Sequence, residues 1–273
     1  MGKSQENLVF VFDLDKTIGY FTQIAIFMEG IEDYIGRKMK LREFFKLLDL
    51  YPQIFRPDMF KVFRYLKDLK KKKKSIKIMI YTNNIGPKSW VHNIRKYIEH
   101  KLEYKLFDRT IAAWKVDNKV YEKCRTTHEK TYKDLLKCGK LDKKDDILFL
   151  DDQRHPNMLH EKIRYLYLHE WHNDIIFEKM IQTFLKSKQA SILQDRKNFK
   201  DHIMSFAKND PLGFRYIERP GENLGRYDKK SIIKEIKRFV KLRRFNKITR
   251  KKRKKVKTQK HQTRRNKTPG ISS

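Results

Sequence analysis

Three short runs of apolar, mostly β-branched or aromatic residues stand out along the chain: Leu8–Phe12, Ile76–Tyr81 and Ile147–Leu150. Runs of that length without polar alternation predict strands buried on both faces of a parallel sheet. Between them apolar residues return at helical intervals: Met59, Phe60, Val62, Phe63, Leu66 and Leu69, with similar spacing over Trp90–Ile98 and Tyr132–Leu136. The alternation predicts an α/β, Rossmann-like parallel sheet flanked by helices. A fourth strand over Tyr165–His169 and an amphipathic helix over Ile175–Leu185 close this domain, which places its end near residue 187. Residues 188–228 are polar and carry Pro211, Gly213, Pro220, Gly221 and Gly225, the pattern of a loosely structured extension. Ser231–Phe245 has Ile232, Ile233, Ile236, Phe239, Val240 and Leu242 at helical spacing on a basic background. Past Arg250 there is almost nothing to bury, so the end of a basic region spanning 229–273 is predicted to be disordered.

Charge changes this picture mainly at the C-terminal end. The 273 residues include 66 Lys and Arg against 33 Asp and Glu, a formal charge of +33. From Lys229 onward there are 20 Lys and Arg and the single acid Glu235, so +19 of that excess sits in the last sixth. An appendage of this kind calls for an anionic partner. Hydrophobic residues at 39% exclude a wholly disordered chain. No apolar run approaches the roughly 20 residues a bilayer span needs, and the N-terminal residues lead straight into a strand. Gly2 is followed by Glu6 where an N-myristoylation signal needs Ser or Thr. The expectation is a soluble intracellular protein without membrane partners. Two cysteines, Cys124 and Cys138, fit neither a disulfide framework nor a zinc site and read as packing thiols.

The chemistry lies just after the strands. The first ends in Asp13-Leu14-Asp15-Lys16-Thr17, the second in Thr82-Asn83-Asn84 and the third in Asp151-Asp152. In an open parallel sheet such groups converge on one crevice beyond the carboxyl ends of the strands. Four carboxylates gathered there repel one another, and a hard cation such as Mg²⁺ relieves that repulsion while leaving room for phosphate oxygens.

With these residues in place, the chain resembles the haloacid dehalogenase superfamily of phosphotransferases. The first motif stands as VFVFDLDKT, the second as IYTNN and the fourth as LFLDD, in that order. Two further stretches are similar to the carboxyl-terminal-domain phosphatase group, which includes enzymes acting on phosphoserine in the RNA polymerase II tail. Arg56-Pro57 looks like that group's helix entry, and YKDLLKCG, Tyr132–Gly139, looks like its lysine motif, with Leu106–Ala113 similar to the strand ahead of it. Lys16 stands where the group has Glu, and Gly19-Tyr20 where it has Val-His. The Asp pair followed by Asn157 is also similar to the magnesium-dependent phosphatase branch.

The resemblance covers roughly residues 7–187 and implies a role for each motif residue. Asp13 is the nucleophile and Asp15 the general acid and base, while Thr82 and Lys133 hold the phosphoryl oxygens. Mg²⁺ sits on Asp13, the carbonyl of Asp15 and Asp152, with Asp151 orienting the shell, and Thr17 orients the loop. The implied activity is a Mg²⁺-dependent phosphatase acting on phosphoserine or phosphothreonine in protein, with the RNA polymerase II tail as a candidate partner. Two alternatives stay open: a phosphatase for nucleic-acid ends or small metabolites, and a non-enzymatic nucleic-acid binder on a phosphatase-like scaffold. KKRKKVK, Lys251–Lys257, reads as a nuclear localisation signal or a nucleic-acid contact. The histidines, including His155, read as surface or packing residues, Lys70–Lys74 as a solvated loop, and Trp90, Trp114 and Trp171 as packing. Gly19–Phe55 has the length of a small cap of undetermined shape.

Overall fold

The computed structural model describes residues 6–218 and 231–243. Five strands form one parallel sheet: β1 (Leu8–Phe12), β2 (Ile76–Tyr81), β3 (Arg109–Ile111), β6 (Asp146–Asp151) and β7 (Ile163–Tyr167), in the order β3-β2-β1-β6-β7. A two-stranded hairpin, β4 (Lys115–Val116) with β5 (Lys119–Val120), stands apart from it and turns through Asp117 and Asn118 at positive φ. The helices are α1 (Thr22–Ile35), α2 (Leu41–Leu50), α3 (Met59–Lys72), α4 (Lys88–Leu102), α5 (Tyr132–Gly139), α6 (Phe177–Lys186), α7 (Phe199–Asn209) and α8 (Phe214–Glu218). Among the described residues no helix is long and apolar enough to cross a membrane. The α/β, Rossmann-like expectation therefore holds.

β1 is buried at all five positions because it is the central strand, with Phe12 beside Ile80 on one side and Leu150 on the other. Alternate residues serve the two faces. Val9, Val11, Met79, Tyr81, Ile147 and Phe149 pack with Leu135 and Cys138 of α5, while Phe12 meets Phe63, which in turn meets Phe107. Each such ring contributes about 2–3 kcal/mol by leaving water. The chain places β2 and β3 on one side of β1 and only later β6 and β7 on the other. The switch point thus falls between β1 and β6, where a crevice opens at the carboxyl ends.

Several expectations shift. The last strand runs over Ile163–Tyr167, two residues earlier than its hydrophobic pattern placed it. Lys70–Lys72 continue α3, and Lys70 bonds the Leu106 carbonyl and the Asp108 carboxylate rather than lying in a solvated loop. Gly19–Phe55 contains two helices, and Gly36 at φ +66° ends the first of them. The domain does not close at residue 187. Phe199, Ile203 and Ala207 of α7 are buried, α7 packs on α1, and Phe199 stacks on Phe184. Gly30 permits that approach, since a Cβ there would meet Ile203 at 3.1 Å and Phe206 at 3.2 Å. The chain divides instead into units 1–229 and 230–273. In the second unit residues 232–243 are helical, as their periodicity predicts; KKRKKVK lies outside the described residues.

Cys124 and Cys138 are joined in a disulfide, with their Cα atoms 5.3 Å apart, where the sequence suggested packing thiols. The 14-residue separation carried no signal, because the pair is made by α5 folding back on the segment before it rather than by a local motif.

Candidate active site

Asp13 and Asp151 are delivered to one edge by register: Phe12 pairs with Leu150, and the Asp13 N–H donates to the Leu150 carbonyl at 2.9 Å. Past Asp13 the chain turns sharply. Lys16 adopts a left-handed φ of 60° and its N–H donates to the Gly19 carbonyl at 2.6 Å. Gly19 has to be small, because a Cβ would lie 2.6 Å from the Phe21 ring and 2.8 Å from the Ile54 carbonyl.

Arg56, 2% exposed, holds this turn: its guanidinium donates to the Thr17 carbonyl at 2.7 Å and to the Lys16 and His169 carbonyls at 2.6 Å each. The half-buried Lys16 side chain pairs with Glu170 at 2.8 Å. The Thr17 hydroxyl donates to Asp152 Oδ1 at 2.8 Å and accepts from the Asp152 N–H at 3.1 Å, tying the β1 loop to the β6 loop.

The lysine at the centre is Lys130. Its ammonium bonds Asp13 Oδ1 at 2.5 Å and Asp151 Oδ2 at 2.7 Å, and all three side chains are buried. Lys133, expected in this role, is exposed on α5. The helix explains the difference. Thr131 is the N-cap, accepting from the Asp134 N–H at 3.0 Å, so Lys133 falls in the first turn and shares an outer face with Lys137. Lys130 precedes the cap on extended chain that runs toward the strand ends.

Two buried groups fix that approach. Asp134 accepts from the Thr126 N–H at 2.9 Å. Arg125, 3% exposed, donates to the carbonyls of Ala112, His128 and Glu129 at 2.9–3.0 Å and to that of Thr82 at 3.2 Å.

Thr82, 1% exposed at the end of β2, uses its hydroxyl to accept the Asn84 N–H at 3.0 Å. The Asn84 side chain in turn donates to Asp15 Oδ2 at 2.9 Å. His155 Nε2 lies 3.3 Å from Asp151 Oδ2, so this histidine belongs to the site rather than to surface packing. Trp90 and Trp171 are buried, as expected of packing residues; Trp114 is half-buried with the Lys115 ammonium over its ring. Sequence reasoning missed Lys130, Arg125 and His155, whereas Asn84, three residues past the end of β2, stood among the polar groups expected at the crevice.

The electrostatics reflect four carboxylates facing one ammonium. Burial, with Asp151 and Asp15 nearby, pushes Asp13 up to about 8 despite Lys130. Burial also raises Asp15, against the hydrogen bond from Asn84, and raises Asp152, against that from Thr17. Asp151 moves down: burial opposes this, and His155 and Lys130 outweigh it. Lys130 stays charged, because Asp13 and Asp151 outweigh its burial.

One oxygen from each of Asp13, Asp151 and Asp152 lies within 4.8 Å of the others. Both Asp151 oxygens are engaged, one by Lys130 and one by the Gln153 N–H at 2.8 Å. Asp152 Oδ2, by contrast, is buried without a hydrogen-bond partner among the described residues. An unpartnered carboxylate oxygen held away from water is costly unless a cation meets it. The donor set is all oxygen, which suits a hard divalent ion. Comparison with family models, with curated proteins and with solved structures returned no match.

Proposed function

We propose that the protein is a divalent-cation-dependent phosphomonoesterase of the haloacid dehalogenase type, acting through Asp13 on phosphoserine or phosphothreonine in protein. The observation that carries this reading is the buried Asp13–Lys130–Asp151 cluster beside the unpartnered Asp152 Oδ2, at the switch point between β1 and β6. Asp13, Asp152 and the Asp15 carbonyl would hold Mg²⁺, which supplies positive charge for the phosphoryl oxygens.

An Asp13 oxygen attacks phosphorus, forming an acyl phosphate as the bond to the leaving oxygen breaks. Asp15, whose carboxyl is raised by burial, gives a proton to that oxygen. The resulting Asp15 carboxylate then takes a proton from water; the water oxygen bonds to phosphorus, and the Asp13–phosphorus bond breaks to release phosphate. Lys130 keeps Asp13 aimed and places a fixed cation where charge develops. The basic extension enters this reading as a nuclear-targeting or nucleic-acid-contacting appendage.

The test is turnover of an aryl phosphate, a phosphoserine peptide and a 3′-phosphorylated oligonucleotide with and without Mg²⁺. Cation-dependent release of phosphate is expected. Its absence on all three substrates would remove the proposal.

A further inference from the structure

Asp15 and Asn84 also line one end of a groove of about 580 Å³ that runs along α1. Its walls are apolar and partly aromatic: Phe21 and Ile26 of the α1 region, Phe44 of α2, and Ile85 and Trp90 on the far side. Ile85 and Leu212 stand 70% and 59% exposed at its rim. Large apolar side chains left in water beside a reactive group mark a surface that takes a partner. The far end carries three acids, Glu29, Glu32 and Asp210, with Lys38 beside them on the lining. Glu32 is satisfied by Lys38 at 2.8 Å and by the Met39 N–H at 2.8 Å, and Asp210 by the N–H groups of Leu212 and Gly213.

Glu29, half-buried, has its carboxyl pushed up by burial and by facing Asp210, against the nearby Lys38 ammonium. A second cavity of about 530 Å³ carries Glu29, Glu32 and Asp33 together with Arg37 and Lys38 on its lining. In a chain of charge +33, the far end of the groove is a local excess of acid over base.

We propose that the groove binds the leaving group, and that this leaving group is a polypeptide carrying an apolar side chain next to the phosphorylated residue and a Lys or Arg about three positions from it. The inference rests on the phosphotransfer reading and narrows its substrate. Thr22 and Glu29 are seven helical residues apart, roughly 10 Å, which three extended peptide residues span. A cation arriving there meets the Glu29 carboxylate and relieves the Glu29–Asp210 repulsion that Lys38 offsets only in part. A nucleic-acid leaving group would lay phosphates against the same three acids, an arrangement that costs affinity. The groove therefore separates the two substrate classes that overall charge leaves open.

The test uses the full-length protein and two phosphoserine peptides that differ only in Lys or Glu at the third position. kcat/KM should favour the Lys peptide by at least about fivefold; Glu29→Gln should bring the ratio toward one, and Glu29→Lys should invert it. Calorimetry with the unphosphorylated Lys peptide gives a readout free of turnover, and its Kd should rise in Glu29→Gln. Equal rates for the two peptides, a ratio indifferent to residue 29, or faster release from a 3′-phosphorylated oligonucleotide would overturn the proposal. An aryl phosphate run in parallel separates the two claims. Aryl turnover without charge selectivity removes the groove's role, whereas charge-selective peptide binding without any turnover removes the phosphatase reading and leaves the groove as a peptide site.

Discussion

Two segments carry charge to Asp13: the turn after β1, which holds the carboxylates, and the stretch before α5, which holds Lys130. Each is tied down by one buried arginine whose partners are backbone carbonyls. Arg56 gathers those of Lys16, Thr17 and His169, and Arg125 those of Thr82, Ala112, His128 and Glu129. Their supports then diverge. The β1 turn is further fixed by strand register and by the Thr17–Asp152 bonds. The Lys130 stretch depends on a helix cap, on Asp134 and on the Cys124–Cys138 disulfide. A position set by a strand end belongs to the sheet, whereas one set by a loop and a helix cap holds only as firmly as that loop.

The largest effect should come from the segment set by register. On the proposed mechanism Asp13→Asn keeps the volume and removes the oxygen assigned to attack, so turnover should fall by more than about 10³-fold, about 4 kcal/mol in the barrier. Near-normal rates on an aryl phosphate would contradict the assigned nucleophile. The arginines come next. Replacing either with Met leaves three or four buried carbonyls without a charged donor, at about 3 kcal/mol of stability. The comparison adds that Arg125→Met should lower kcat more than Arg56→Met, because the other ties of the Lys130 stretch lie in a loop and a helix cap and not in the sheet. Equal losses of kcat in denaturant-matched samples would show the two supports to be equivalent.

Cys124 and Cys138 offer a way to loosen one segment alone. Lys130 lies inside the loop they close, so reduction, or Cys138→Ser, should cost about 3 kcal/mol on a chain-entropy account of a loop this size. Thermal denaturation with and without a thiol reductant measures it. An unchanged Tm would mean that α5 is held by its packing in the Leu135 and Phe149 cluster.

What could be read in advance follows the same division. β1 and β2 were legible to the residue because a central parallel strand must be apolar on both faces, and Asp13, Asp15, Thr82, Asp151 and Asp152 came with them as the residues just past strand ends. Lys130 was not legible, because its position depends on where α5 begins. Thr131 caps the helix, whereas motif similarity points into the first turn, at Lys133. α7 was passed over although Phe199, Ile203, Phe206 and Ala207 recur at helical spacing; the Pro and Gly residues downstream made the whole stretch look irregular. The groove depends on α1, α2 and the start of α4 converging, which no single segment records.

The lysine assignment is open to direct comparison. Lys130→Ala should cut the rate by about 10²-fold, near 2.7 kcal/mol, while Lys133→Ala, on the outer face of α5, should leave it within about twofold. Sensitivity at Lys133 and tolerance at Lys130 would reverse the placement of the cap.

The smallest effect tests what completes the acidic edge. Asp13 is raised by burial from its ordinary 3.8 to about 8, so the folded protein retains a proton that the unfolded chain has released. That contribution to stability is fully present below about pH 3.8 and is lost as pH rises through about 8; Asp15 and Asp152, both raised by burial, act with the same sign. Asp151, lowered against its burial by His155 and Lys130, acts oppositely, and its share is lost only at acid pH.

Without divalent ions, stability should therefore decline between about pH 5.5 and 8.5. Mg²⁺ competes with the same protons, so 10 mM should raise Tm by about 3 °C at the higher pH if it binds near 1 mM, and by little at the lower. Asp152→Asn replaces the oxygen that has no donor among the described residues and, on the proposed site, should abolish that increment while keeping the Thr17 contact. An equal Mg²⁺ shift at both pH values, or one that survives in Asp152→Asn, would place the ion elsewhere and leave the buried oxygen of Asp152 without a counterpart.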